Sequence, residues 1–202
     1  MVEFLNSKVY TSVVDPDAEL VRPWMGVGTP PPQDGGFGQL CDQCGESSWI
    51  ELGGGGAVDS YRPSIDIRRL PGVDIVQDLS QGIPFHDGHA TRIKTIHVLN
   101  HMPYVAAQFM LRECYRVLRP LGTLFIMVTD MGFILERILV DGPRDAWMTS
   151  LYGTRGDTHK DDFHYWGYTV PSLHEELTKV GFSQIEHLGH FNAWELKMIA
   201  TK

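Results

Sequence analysis

The segment Trp49-Ile50-Glu51-Leu52-Gly53-Gly54-Gly55-Gly56 decides how this chain is read. A short apolar strand, Ser48–Leu52, runs directly into four glycines. Glycine reaches positive φ at little cost and carries no Cβ, so such a turn lets the backbone approach a ligand closely. Taken alone, the same run also suits a plain flexible turn. The nicotinamide fingerprint needs Gly-x-Gly-x-x-Gly. Counting from Gly53 puts Val58 at its third glycine, and counting from Gly54 puts Asp59 there. A dinucleotide oxidoreductase is disfavoured.

Working outward, four further signals follow in order: Ile65-Asp66-Ile67, then Val73–Leu79, then Ile83-Pro84-Phe85 leading to Ile96-His97-Val98-Leu99 at the end of the expected strand Ile93–Leu99, then Glu113–Gly122. Each apolar run ends in a polar or glycine-rich turn, where parallel sheets place their ligands. Asp66 ends the second expected strand, Ser64–Ile67, and an acid there can accept ribose hydroxyls. Asp78-Leu79 ends the third, Asp74–Val76; its carboxylate can receive an exocyclic amine while Leu79 packs on a base. Solvated strand-end carboxylates are the plainer alternative for both.

Pro103 opens a helix whose apolar positions Val105, Phe109, Met110, Cys114, Val117 and Leu118 keep helical spacing. Arg119-Pro120-Leu121-Gly122 is expected to stop it, and Thr123–Val128 to form a buried strand. Residues 131–140 read as a helix and 142–162 as a polar loop. Thr169-Val170-Pro171 starts a helix carrying Leu173, Leu177 and Val180, with Gly181 at its end. Gln184–Leu188 and Trp194–Ala200 make a hairpin. Alternating strands and helices followed by that hairpin predict an α/β, doubly wound, mostly parallel sheet with an antiparallel edge.

With these stretches in place, the chain resembles a class I S-adenosylmethionine-dependent methyltransferase, of the small methyltransferase domain 11-like type. The resemblance rests on Leu52-Gly53-Gly54-Gly55, Asp66-Ile67, Pro71–Leu79, Ile83–Gly88, His97-Val98-Leu99-Asn100-His101 and Glu113–Gly122, in that order. It implies a Rossmann-like methyltransferase sheet with S-adenosylmethionine as cofactor. Glu51, Gly53 and Gly55 would border the cofactor's amino-acid part and Asp66 its ribose. Asp78 and Leu79 would hold the adenine, with His97 at the rim of the fourth strand. Three departures stand out, one of them the basic and small Ala90-Thr91-Arg92-Ile93 in place of an acidic residue near the strand entry. Only ten positions lead from Gly56 to Asp66, too few for a full helix, and Asn100 stands where the family usually has Glu. A non-catalytic binding protein that keeps the fold is the rival reading.

His159, His164, Tyr165, Trp166 and Tyr168 cluster after the fifth strand, where this architecture binds acceptors. His101 lies beyond the fourth strand. His101 or His164 could act as a base, since imidazole titrates near neutrality; aromatic packing with exposed histidines is the plain alternative.

Residues 1–48 form an irregular N-terminal extension broken by prolines and glycines, with one possible strand at Lys8–Val14, and 49–202 form the domain. Cys41-x-x-Cys44 lacks two further zinc ligands at a paired spacing, so no metal is expected. The net charge of −8 and the lack of a basic run argue against nucleic acid as partner. No run nears the ~20 apolar residues a membrane span needs. Three cysteines fit a reducing, cytoplasmic setting. A small-molecule acceptor is the expected partner; oligomeric state is not legible.

Overall fold

The computed structural model describes residues 49–55, 63–154, 162–190 and 194–202. The expectations for 1–48, including the Lys8–Val14 strand and the Cys41/Cys44 pair, lie outside them, as do His159 and most of the stretch from Gly56 to Asp66.

Seven strands form one sheet: β1 (Trp49–Leu52), β2 (Ser64–Asp66), β3 (Ile75–Val76), β4 (Ala90–Ile96), β5 (Leu118–Thr129), β6 (Ser183–His190) and β7 (Glu195–Thr201). Their order is β3-β2-β1-β4-β5-β7-β6. The first five run parallel, and β7 pairs antiparallel with both β5 and β6. This is the doubly wound, mostly parallel sheet with a C-terminal antiparallel hairpin that the sequence predicts. The chain winds outward from β1 to β3, then returns to place β4 on the other side of β1. The strand order therefore reverses between β1 and β4, and a crevice opens there beyond the strands' carboxyl ends.

Strand sequence explains the core. Ile50 and Leu52 on β1, Ile65 on β2, Ile93 on β4 and Leu124, Ile126 and Val128 on β5 are all at most 1% exposed. Helix α1 (Tyr104–Val117) covers them with Ala106, Ala107, Met110, Leu111, Cys114 and Val117, a stripe at spacings of three and four. Truncating any of the large members to Ala costs about 2–5 kcal/mol. Helix α4 (Val170–Val180) starts at Thr169, whose side chain and that of Ser172 form a reciprocal capping box. Gly181 ends it at φ 113°.

Two expectations need correction. Residues 142–162 are not all loop: helix α3 (Asp145–Tyr152) follows α2 (Met131–Asp141). Asp145 in its first turn and Gly153 after its last residue are the local cause. Nor does Arg119–Gly122 interrupt the chain. α1 ends at Val117 and β5 begins at Leu118, which pairs with Ala90 before a register shift. Pro120 is tolerated there because it lies exposed, beside the irregular part of the ladder.

The carboxyl end of α1 fixes the segment that precedes β4. Glu113 accepts the Ile83 amide at 3.0 Å. Arg116 donates to the Ile83 and Phe85 carbonyls, to Asp87 and to Glu113, at 2.7 to 3.0 Å. Burial opposes ionisation of Glu113, yet Arg116 and the Ile83 amide hold its carboxyl below the usual range.

Candidate functional site

The crevice at the strand reversal is a cavity of ≈ 330 Å³, within the size range of small-molecule sites. Gly53 after β1, Asp66 and Arg68 at and after β2, Asp78 and Leu79 after β3, and His97 and Val98 after β4 form one wall. His101, Met102, Asp162 and Tyr165 form the other.

Gly53 adopts φ +71°, and a Cβ on it would lie 2.1 Å from Val98 Cγ2. Only glycine lets the first turn sit this close to the turn after β4. Asp66 is 4% exposed. Its Oδ2 accepts the Gly55 amide at 2.9 Å, and its Oδ1 accepts the Arg68 amide at 2.9 Å and Arg68 Nε at 3.3 Å. A carboxylate offers about four lone-pair sites. Three of these are taken, so two incoming hydroxyls would require Arg68 Nε to give way. Asp78 Oδ1 accepts the Ser80 amide and caps the 3-10 turn Leu79–Gln81.

His97 takes φ +53°, uncommon for a residue with a side chain. Its amide donates to the Met127 carbonyl at 2.8 Å, and its Nε2 lies 3.1 Å from Glu195 Oε1. A carboxylate can only accept, so Nε2 carries the proton. The ring stacks on Trp194 at 6.1 Å.

The opposite wall is laced to the 3-10 turn Leu99–His101. The Asn100 carbonyl accepts the Tyr165 amide at 2.8 Å, and His101 Nδ1 donates to the Phe163 carbonyl at 3.2 Å. His101 Nε2 stands 3.7 Å from Asp162 Oδ1, and Asp162 Oδ2 accepts from Thr154 Oγ1. Burial lowers the His101 pKa, with Asp162 and the Phe163 carbonyl opposing. His164 packs edge-on against His101 at 4.7 Å between ring centroids. Its own Nδ1 donates to the Ser150 carbonyl, and burial followed by the charge of His101 lowers its pKa to about 4.

Gly53, Asp66, Asp78, Leu79, His97 and His101 thus share one cavity although they come from four separate turns. Glu51, Gly55 and His164 stand off its wall. Glu51 lies in register between Ser64 and Lys94, its Oε1 pairs with Lys94 Nζ at 2.9 Å, and its carboxyl carbon would lie 3.7 Å from a Cβ on Gly54, just behind the glycine turn. Gly55 spends its amide on Asp66. His164 lines a neighbouring aromatic hollow with Met131, Tyr152, Phe163, Tyr165 and Trp166. Arg68 and Asp162 were missed in the sequence. Arg68 shares a turn with Asp66, a spacing that could have flagged it; Asp162 arrives from far along the chain without a local signal.

Residues 57–126 match the family model of a methyltransferase domain. No curated protein sequence matches the chain. Among solved structures, a S-adenosylmethionine-dependent methyltransferase of Thermotoga maritima, described as a possible histamine N-methyltransferase, shares 14% identity at TM-score 0.56, over 82% of this chain and 87% of that one. One from Archaeoglobus fulgidus shares 11% identity at TM-score 0.54, over 83% and 95%. The 1,6-didemethyltoxoflavin-N1-methyltransferase of Burkholderia thailandensis, solved with its acceptor and S-adenosylhomocysteine, shares 15% at TM-score 0.53, over 94% and 97%. At such identities the likeness is one of fold. With the family match, it bears out the resemblance to class I methyltransferases.

Proposed function

We propose that this chain, which carries a methyltransferase domain, transfers a methyl group from S-adenosylmethionine to a small-molecule acceptor. The supporting observation is the convergence of Gly53, Asp66, Asp78, Leu79 and His97 on one cavity at the strand reversal. Asp66 receives the ribose, helped by displacement of Arg68 Nε. Asp78 takes the exocyclic amine and Leu79 packs on the base. Gly53 lets the amino-acid part lie against backbone, and His97 closes the rim. Glu51 borders the amino-acid part from behind the glycine turn, and Gly55 does so while orienting Asp66.

The sulfonium methyl is already activated when bound. The protein's contribution is alignment and exclusion of water, which together can supply most of the rate. The net charge of −8 speaks against a nucleic-acid acceptor. Among the described residues no helix is long and apolar enough to cross a membrane. We place the activity in the cytoplasm, in keeping with the free, buried Cys114 thiol.

Titration calorimetry with S-adenosylmethionine and S-adenosylhomocysteine tests this reading, with Asp66→Ala as control. Micromolar binding lost in the variant is the expected result. Absence of both heat and thermal shift at millimolar ligand would sink it. Binding without turnover on any acceptor would instead favour the rival, a binding protein built on the same fold.

A further inference from the structure

The wall of the cavity opposite the strand ends carries groups that cofactor binding does not use. His101 and Asp162 stand there, with Tyr165 between the cavity and the aromatic hollow. Tyr165 and Trp166 are 53% and 46% exposed, and Phe163 packs edge-on against Tyr165 at 5.5 Å. Exposed rings of this size beside a polar dyad form a surface suited to a flat, largely apolar ligand.

The protonation of His101 follows from its partner. A backbone carbonyl only accepts, so the proton of the neutral ring sits on Nδ1, donated to Phe163. Nε2 then bears the lone pair at the cavity wall, and a proton taken up there lies 3.7 Å from Asp162 Oδ1. His164 is tied the same way to Ser150 but lies off the cavity wall.

We propose that His101 is the general base for a planar aromatic acceptor bearing a ring N–H or a phenolic O–H, positioned by Asp162 and Phe163 and stacked on Tyr165, among the described residues the one exposed ring that the cavity shares with the aromatic hollow. This rests on the donor reading above. In the step, the acceptor's N–H or O–H bond breaks and its proton passes to His101 Nε2. The electron pair left on nitrogen or oxygen forms the bond to methyl. The S–CH3 bond breaks with its electrons going to sulfur, giving neutral S-adenosylhomocysteine. Asp162 stabilises the imidazolium until solvent takes the proton. Burial keeps His101 neutral in the resting protein at pH 7, against Asp162 and alongside the nearby His97 and Arg68, which also disfavour its charge.

The test uses benzimidazole and 2-naphthol as probes, with cyclohexylamine as an aliphatic control. Saturation-transfer NMR on protein loaded with S-adenosylhomocysteine should show both aromatics bound, and Tyr165→Ala should lose them. Labelled methyl should enter the aromatics and not the amine. His101→Asn should bind S-adenosylhomocysteine within about twofold of wild type yet lose about 10²–10⁴ in kcat, the usual range for a positioned base. Asp162→Asn should shift the acid limb of the kcat profile to lower pH, because the imidazolium loses its carboxylate. Neither aromatic bound, label entering only the amine, or full kcat in His101→Asn would each overturn the proposal. Failure of wild type to bind S-adenosylhomocysteine would fail the donor reading instead.

Discussion

Asp66 and Gly55 are joined by a 2.9 Å hydrogen bond from the glycine amide to Oδ2. The carboxylate at the end of β2 therefore shapes the glycine turn after β1 as well as facing the cavity. In the proposed donor site, Asp66 couples loop geometry to ribose recognition through one side chain.

That coupling sets the outcome of Asp66→Ala. Removing the carboxylate frees the part-buried amides of Gly55 and Arg68, costing about 1–3 kcal/mol where such a group goes unsatisfied. Denaturant melts should show this loss, and calorimetry should show S-adenosylhomocysteine binding weakened at least tenfold. A variant that binds normally would remove Asp66 from the site.

Arg116 illustrates how a sequence signature can be structural. Glu113 and Arg116 belong to one motif and Ile83–Gly88 to another, and the structure joins them: one grips the other's backbone. Arg116→Ala should cost about 1.5–3 kcal/mol, the range for hydrogen bonds to a charged group. Because this clamp is off the cavity wall, affinity for S-adenosylhomocysteine measured well below the melting temperature should stay within about threefold. A tenfold loss of affinity with unchanged stability would reverse that assignment.

One wall of the cavity was legible because its residues follow strands whose apolar runs end abruptly, so Gly53, Asp66 and Asp78 can be placed from local pattern, while His97 was reached only through the family resemblance. The helix Asp145–Tyr152 was not, since Gly142 and Pro143 read as loop and its eight residues bury no side chain fully. The ion pair of Glu51 with Lys94, 43 positions later on β4, has no local trace in the sequence. Asp162 reaches His101 only through the lacing of the 162–168 segment to Asn100, a long-range relation with no periodic trace.

Stability should fall as pH drops from 6.5 towards 4. His164 has an ordinary pKa of 6.5 in the unfolded chain and about 4 when folded, chiefly through burial. In that window the unfolded state binds the extra proton, so acid favours unfolding, and the contribution is fully present only above the unfolded value. The lowered pKa values of His101 and His89 act in the same direction. The lowered carboxyls of Glu113 and Glu176 also lose their contribution in acid, but only as pH falls below the usual carboxylate value. At 1.36 kcal/mol per unit, His164 alone accounts for about 2–3 kcal/mol. Urea midpoints from pH 4 to 8 should show the slope, and His164→Gln should flatten it in part. An unchanged slope in that variant would mean the ring stays solvated.

Two glycines of the first turn should separate strain from steric exclusion. Gly53 and Gly55 both have positive φ, at 71° and 59°. A methyl on Gly53 collides with Val98 at 2.1 Å, whereas one on Gly55 meets only Arg68 Nη2 at 3.8 Å. Gly55→Ala therefore carries the left-handed cost alone, about 1–2 kcal/mol, with the Asp66 contact intact. Gly53→Ala adds a clash that must push the turns after β1 and β4 apart, and those turns are the floor of the cavity. Gly53→Ala should then abolish S-adenosylhomocysteine binding while Gly55→Ala weakens it less than tenfold. Equal losses in the two variants would place the cofactor's amino-acid end against Gly55 instead, and shift the donor site away from the turn after β4.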